Sequence, residues 1–199
     1  MDAQTLDNQT IDQAIAVLKN GGVVVFPTET AYGLAADATN TTAVNQIFLL
    51  KGRGEEKSLP LIAADRAMVE TIAGIPRALR SLADRYWPGP LTLVLPVISD
   101  QLDPAVVRHG TVAVRVSSHS VAQALSRGIG RPIVSTSANR SGEPVCYSVE
   151  CVKKQFESQE IKPDYYLDAG TLTPEPSSTI VGLDDYGIPE ILRQGSIEI

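Results

Sequence analysis

The 199-residue chain contains little of what defines several common protein classes. Aromatic residues make up 5% of it, cysteine occurs twice, and 17 Lys and Arg are outnumbered by 23 Asp and Glu. The formal net charge of −6 argues against a large nucleic-acid-binding surface, because such a surface needs clustered Lys and Arg. A local basic cavity for a small anion is compatible with these totals.

Long apolar runs are also missing. No stretch approaches the ~20 apolar residues that a membrane-spanning helix needs, and the first ten residues, MDAQTLDNQT, are acidic and polar, unlike a secretion signal. The chain is therefore predicted to be cytoplasmic, with no membrane contact. Cys146 and Cys151 are expected to be free thiols, as is usual in a reducing compartment.

Several motifs of known chemistry are absent from the sequence. It lacks the phosphate-binding pattern G-x-x-x-x-G-K-[ST] and the dinucleotide-binding pattern G-x-G-x-x-G. His109 and His119 have no partner at metal-ligand spacing, so no protein-bound metal site is predicted. The serines of STSAN (135–139) lack the G-x-S-x-G context of a hydrolase nucleophile.

Hydrophobic periodicity predicts helices and strands that alternate for most of the length, with strands clustered at the end. The fold class is therefore α/β, a twisted mixed sheet with helices packed over it, in a single domain over 1–199. Thr10 and Gln13 suggest a capping box at the start of the first helix. Helices are predicted at 10–19, 41–50, 76–87, 121–127 and 149–156, and strands at 23–26, 59–63, 91–95, 111–116, 132–136, 165–168, 179–183 and 188–192.

Two loops beside predicted strands carry polar groups of the kind that bind ligands. The segment PTETAYG follows the strand at 23–26, and its hydroxyls either contact a ligand or cap backbone groups of a turn. The segment KGRGEEKS places Lys51, Arg53 and Lys57 close together, where they either converge on one anion or remain solvated beside Glu55 and Glu56.

Two strands carry the remaining candidates. Arg115 lies among valines in the strand at 111–116, so its guanidinium must reach an Asp or Glu, a ligand carboxylate or the solvent. Ser137 and Asn139 follow the strand at 132–136, where they either donate to a ligand or form Asx and Ser turns. Hydroxyls and cations at four such places in an acidic chain together indicate a pocket for a small polyanion.

Seven segments occur along the chain in this order: FPTETAYGL, KGRGEEKSLPLI, WPGPLTLVLP, VAVRV, STSANRSGEP, SSTIV and ILRQGS. As an ordered set they resemble the YrdC-like family, which includes the threonylcarbamoyl-AMP synthases. The resemblance covers about residues 10–196 and implies a twisted sheet with a large concave, basic cavity. It also implies that L-threonine, bicarbonate and ATP, accompanied by Mg²⁺, are converted into pyrophosphate and threonylcarbamoyl-adenylate. A downstream transferase would then pass the threonylcarbamoyl group to tRNA.

The resemblance also implies roles for individual residues. Lys51 and Arg53 would grip the ATP phosphates and act as the catalytic residues, and Arg115 would meet the threonine carboxylate. The further ATP contacts would be Lys57, Thr111, Asn139 and Arg193, and the further threonine contacts would be Thr30, Ser137 and Ser178. Glu29 is considered as a general base but is not assigned that role.

The sequence departs from common family patterns at three places. Gly54 replaces a frequent proline, Ala64 a histidine of some members, and Thr136 a proline. The chain ends just past LRQGS, which predicts the single-domain form. The alternatives are a non-catalytic RNA-binding or regulatory relative, and another ATP-using ligase of the same fold; a weak contact with tRNA is also considered.

Overall fold

The computed structural model describes residues 6–52, 54 and 59–199. Over this part of the chain, helices and strands alternate as far as β6, and strands predominate afterwards. The helices are α1 (Asn8–Lys19), α2 (Thr41–Lys51), α3 (Arg66–Ile72), α4 (Arg77–Tyr86), α5 (Ser120–Ile129) and α6 (Val149–Phe156), with a 3₁₀-helix at Pro104–Val106. The strands are β1 (Val24–Pro27), β2 (Tyr32–Asp37), β3 (Leu61–Ala63), β4 (Leu91–Pro96), β5 (Thr111–Val116), β6 (Ile133–Ser137), β7 (Tyr165–Tyr166), β8 (Thr179–Leu183) and β9 (Pro189–Arg193).

These strands form one mixed sheet in the order β7-β1-β2-β6-β3-β5-β4-β8-β9. The pairs β1–β7, β3–β5 and β4–β8 are parallel, and the other neighbours are antiparallel. This arrangement confirms the predicted α/β fold with a mixed sheet.

One face of the sheet is covered along most of its width. Alternate residues of the strands, such as Val25, Leu61, Leu93 and Val114, point to this face and are fully buried. They share one apolar cluster with residues of α2, α3, α4 and α6. Burial of this apolar surface is the main force that holds the helices on the sheet.

Within the described part of the chain, the opposite face is covered only at one end. There Phe26, Ala35, Ile62 and Ile133 pack in a second apolar cluster with residues of α1 and α5. Register places Arg115 beside Ile62 and Ala113 beside Val94, so the same face continues across β5 and β4 towards β8. Neither α1 nor α5 contributes to the lining there, and this stretch of sheet becomes the floor of a cavity.

The structure agrees with the predicted elements at most positions and adds three, one of which is the 3₁₀-helix at Pro104–Val106. Strands β5 and β8 and helix α6 have the predicted bounds. Strand β2 and the short helix α3 were not predicted. The first helix begins earlier than predicted, because Asp7 caps it: the Asp7 carboxylate accepts a hydrogen bond of 2.7 Å from the backbone N–H of Thr10.

The expectation that the two cysteines are free thiols is wrong. Cys146 and Cys151 form a disulfide, with Cα atoms 5.5 Å apart. Ser148 caps α6 by accepting from the backbone N–H of Cys151. The chain therefore turns back between the two cysteines, which sequence spacing alone does not reveal. Over the residues described, none of the helices has the length and apolar character required to cross a membrane.

Candidate functional site

A cavity of about 770 Å³ lies over the uncovered part of the sheet. Its floor is formed by alternate residues of β4, β5, β6 and β8, and its rim by the loops that adjoin these strands. Seven of the ten predicted site residues line it: Thr30, Lys51, Arg115, Ser137, Asn139, Ser178 and Arg193. The fold thus brings together residues that are up to 163 positions apart in sequence, from 30 to 193.

The turn between β1 and β2 presents two hydroxyls to the cavity. The Thr28 hydroxyl donates to the Ala31 carbonyl over 2.7 Å and accepts from the backbone N–H groups of Thr30 and Ala31. The Thr30 hydroxyl lies 3.1 Å from that of Thr28. Thr28 therefore holds the turn, which was the structural alternative considered for this segment, while Thr30 has its remaining hydrogen-bonding capacity available to a ligand.

Lys51 is bound to the loop that follows β6. It is the last residue of α2 and is 4% exposed. Its Nζ lies 2.7 Å from the carbonyl oxygen of Ser137, 2.8 Å from that of Asn139 and 3.0 Å from Asn139 Oδ1. An ammonium has three N–H donors, and these oxygens can accept all three. Lys51 thus joins α2 to the loop carrying the predicted Ser137 and Asn139 contacts.

Ser137 and Asn139 also bind each other. The Ser137 hydroxyl donates to Asn139 Oδ1 over 2.5 Å, and Asn139 Nδ2 donates to the carbonyl of Glu143 over 2.5 Å. The loop is therefore organised by side-chain to backbone hydrogen bonds, as in the Asx-turn alternative. Both residues also line the cavity, so the structural role is observed at this loop and the ligand contact stays a prediction.

Arg115 lies on the cavity floor and forms a buried ion pair. Its Nη1 contacts Oε1 of Glu29, whose Oε2 accepts from the Ser117 hydroxyl. Burial lowers the pKa of Arg115, and the Glu29 carboxylate raises it in opposition. Among the residues described, Glu29 is the one hydrogen-bond partner of the Arg115 side chain. A guanidinium has five N–H donors, so Arg115 can bind a second anion.

A second guanidinium, that of Arg193, also lines the cavity. Arg193 donates to the carbonyl of Ser178 over 2.8 Å and to its hydroxyl over 3.0 Å. The Ser178 hydroxyl also lies 2.9 Å from that of Thr92. Partial burial lowers the pKa of Arg193, and the like charge of Arg115 lowers it further. An anion bound in this cavity would relieve the repulsion between the two cations.

Three of the predicted residues are not among the described lining of the cavity. Thr111 shares a face of β5 with Ala113 and Arg115, but lies beyond the lining, and its hydroxyl donates to the Arg108 carbonyl over 2.8 Å. Arg53 and Lys57 lie outside the described residues. Because Arg53 and Lys57 are not described, the basic character of the cavity stays a prediction. The charged residues in the described lining are three cations and one carboxylate: Lys51, Arg115, Arg193 and Glu175.

Sequence reasoning missed Thr92 as a site residue. It is 2% exposed, lies within the apolar strand β4, and lines the cavity beside Ser178. The sequence does contain a signal for Thr92, namely a polar residue within an apolar strand. A polar side chain in a buried strand needs a hydrogen-bond partner, which is the same reasoning that applies to Arg115. Ser117, which binds Glu29 at the end of β5, carried no comparable signal, since it follows the strand in an ordinary turn sequence.

The fold and the cavity define a class of protein: an α/β protein with a polar cleft on one face of a mixed sheet. The Sua5/yciO/yrdC family model, described as "Telomere recombination", matches residues 16–195. The chain belongs to this family, which confirms the resemblance found in the sequence.

Three known proteins illustrate the similarity. The chain is 39% identical to the threonylcarbamoyl-AMP synthase of Bacillus subtilis (strain 168) over 98% of its own length and 56% of that protein. A crystal structure of P. abyssi Sua5 complexed with L-threonine superposes with a TM-score of 0.88 at 36% identity, over 98% of this chain and 56% of that one. The crystal structure of E. coli YciO superposes with a TM-score of 0.83 at 25% identity, over 100% of this chain and 95% of that one.

The chain therefore spans little more than half the length of the first two of these proteins. What it shares with them is the region that contains the cavity described above. The activity and the ligands of the longer proteins come to this chain only as a proposal.

Proposed function

We propose that this chain synthesises threonylcarbamoyl-adenylate and pyrophosphate from L-threonine, bicarbonate and ATP, and is thus a nucleotidyltransferase. The observation that carries the proposal is Arg115, a buried guanidinium on the cavity floor with N–H donors left for a second carboxylate. Hydroxyls of Thr30 and Ser178 line the same cavity and suit the amine and hydroxyl of an amino acid. The names of similar proteins support the same activity.

ATP would occupy the part of the cavity towards Lys51, Asn139 and Arg193. Nη1 of Arg193, the nitrogen that does not bind Ser178, would donate to phosphate or ribose oxygens. Arg53 and Lys57 are proposed to add positive charge near the phosphates. A volume of about 770 Å³ lies within the range of pockets that enclose small molecules. Thr111 is proposed as a further nucleotide contact, at the outer end of the face that carries Arg115.

Mg²⁺ is proposed to arrive with ATP as part of the substrate. Within the described residues, no group of three or more His, Cys, Asp or Glu is placed to hold a metal ion. Magnesium commonly binds through substrate phosphates and a few waters, with little help from protein carboxylates. Glu175 is the carboxylate in the described lining, so it is the side chain there with the chemistry of a Mg²⁺ ligand.

The chemistry requires little acid–base catalysis from the protein. The neutral threonine amine forms a carbamate with the carbon of bicarbonate, with loss of water. A carbamate oxygen then attacks the α-phosphorus of ATP, and pyrophosphate leaves. The residues of this chain would hold the two reactants in line and stabilise charge on the phosphate oxygens, without a covalent enzyme intermediate.

The decisive experiment is pyrophosphate release by the purified protein with MgATP, bicarbonate and one amino acid at a time. Pyrophosphate release is expected with L-threonine. The rate of release should fall strongly when L-valine, which lacks the hydroxyl, replaces L-threonine, or when bicarbonate is left out. The mass of the rapidly trapped product should be that of threonylcarbamoyl-adenylate. Release with a different amino acid would instead indicate another ligase, and ATP binding without release would indicate a non-catalytic relative.

Arg115→Ala tests the carboxylate contact. Hydrogen bonds to charged groups contribute about 1.5–3 kcal/mol, so the KM for L-threonine should rise about 10-fold to 150-fold, while the KM for ATP changes little. Arg127→Ala, at a guanidinium whose side chain is 61% exposed, is the matched control and should change neither value. Equal effects of Arg115→Ala on both substrates would exclude the carboxylate assignment.

We further propose that the protein is cytoplasmic and that its product is passed to a transferase that modifies tRNA. Both proposals follow from the proposed product, which hydrolyses unless a nearby enzyme uses it. A direct contact with tRNA would be weak, because the formal net charge is −6.

A further inference from the structure

Glu29 is buried beside the cavity and is bound at both of its carboxylate oxygens. It lies in the turn between β1 and β2, and its side chain is 15% exposed. One oxygen accepts from Arg115 and the other from the Ser117 hydroxyl. Glu29 is not among the residues that line the cavity in the described part of the chain, whereas Arg115 is. A ligand therefore meets Glu29 only through Arg115.

Ser117 connects this carboxylate to a rigid part of the fold. Ser117 is fully buried, and its hydroxyl accepts from the backbone N–H of His119 over 3.1 Å. Its carbonyl accepts from Nε2 of Gln123 over 2.7 Å, and Gln123 lies within α5. The turn that follows β1 is thus linked through Glu29 and Ser117 to the start of α5.

The consequence for Arg115 is a fixed orientation. An arginine side chain is long and has many rotamers, so a free guanidinium loses conformational entropy each time it binds a ligand. Glu29, which is not among the described lining residues, restrains it in advance through Nη1, and preorganised groups bind more tightly. The alternative is that Glu29 competes with a ligand carboxylate for the same cation, in which case its removal would strengthen binding.

We propose that Glu29 is a positioning residue that holds the Arg115 guanidinium in the orientation that accepts the substrate carboxylate. The link to L-threonine rests on the proposed function, but the restraint on Arg115 does not. This role replaces that of a general base, because both oxygens of Glu29 are already hydrogen-bonded to protein groups.

The test compares the full-length protein with its Glu29→Gln variant, which keeps the size of the side chain and removes its charge. L-threonine and ATP affinities are measured separately by calorimetry. We expect L-threonine to bind at least tenfold more weakly and ATP to change by less than twofold. Glu157→Gln, at an exposed position, is the matched control and should change neither affinity. Unchanged or tighter L-threonine binding in Glu29→Gln would overturn the proposal.

A second readout needs no ligand. In protein with ¹⁵N-labelled arginine, restrained rotation should give Arg115 separate Nη signals, identified by their loss in Arg115→Lys. In Glu29→Gln these signals should merge, as expected for a freely rotating guanidinium. Signals that remain separate would overturn the proposal. If wild-type protein does not bind L-threonine, yet the signals merge as expected, the proposed function fails while the positioning role of Glu29 is supported.

Should Glu29→Gln not fold, Ser117→Ala provides an independent test. It removes the hydroxyl that holds the second carboxylate oxygen and leaves the charge of Glu29 in place. L-threonine affinity should then fall about threefold, with broadened Arg115 Nη signals. Wild-type affinity and sharp signals in Ser117→Ala would contradict the linked arrangement.

Discussion

Lys51→Ala should destabilise the folded protein as well as abolish turnover. The ammonium of Lys51 joins α2 to the loop after β6 through oxygens of Ser137 and Asn139, and the residue is 4% exposed. The family resemblance assigns Lys51 to the ATP phosphates, a role that by itself would leave stability unchanged when the side chain is removed. The structure adds a second role, which the stability of the variant can measure.

The magnitude follows from the hydrogen bonds that are lost. Each hydrogen bond to a charged group contributes about 1.5–3 kcal/mol, and three oxygens within 3.0 Å accept from Lys51 Nζ. Water from the adjoining cavity can replace part of this interaction. We therefore expect Lys51→Ala to lower the free energy of unfolding by about 2–5 kcal/mol.

Urea unfolding followed by circular dichroism measures this difference. Lys51→Met keeps most of the apolar stem, so it separates the contribution of the ammonium from that of packing. Lys154→Ala, at an exposed lysine in the last turn of α6, is the control and should stay within about 0.5 kcal/mol of wild type. Wild-type stability in both Lys51 variants, together with lost ATP binding, would refute the argument and leave the phosphate role alone.

Three further predictions test other parts of the structure. Burial raises the pKa of Tyr32 to about 12, so the folded state keeps its proton longer than the unfolded state. Stability should therefore fall as the pH rises from about 10 to 12, and Tyr32→Phe should flatten this loss in urea unfolding at each pH. Replacing Cys146 and Cys151 by serine should lower the free energy of unfolding by about 2 kcal/mol, as should reduction of the wild type. Gly195→Ala should lower the melting temperature, because the added Cβ would lie 2.1 Å from the Ser177 carbonyl oxygen.

The sequence was most informative where apolar patterns were regular. Strands β5 and β8 and helix α6 were predicted with correct bounds, because each has a continuous or periodic apolar pattern. Strand β2, Tyr32–Asp37, was missed because its sequence YGLAAD contains glycine and small residues with low strand preference. It becomes a strand through its pairing with β1 and β6, a tertiary effect that local sequence does not contain.

Seven of the ten residues predicted for the site line one cavity, but their contacts with other protein groups were not predictable. A cation among the valines of β5 had to meet an anion, and this argument was correct for Arg115. It could not decide between a protein carboxylate and a ligand, since Glu29 is 86 residues away in sequence. The same is true of Lys51. Its charge marked it as a candidate, but its hydrogen-bond partners depend on how the loop after β6 folds back, which local sequence does not reveal.

The alternatives of structural and ligand-binding roles are therefore not exclusive in this cavity. Lys51, Arg115 and Arg193 each bind a protein oxygen, and a long cation that is already held loses less entropy when a ligand arrives. Restrained cations inside the cavity would hold an anion in one place and one orientation. For a reaction that depends on alignment of two substrates, such restraint contributes directly to rate, so weakening the internal contacts should reduce turnover even where the ligand-facing atoms remain.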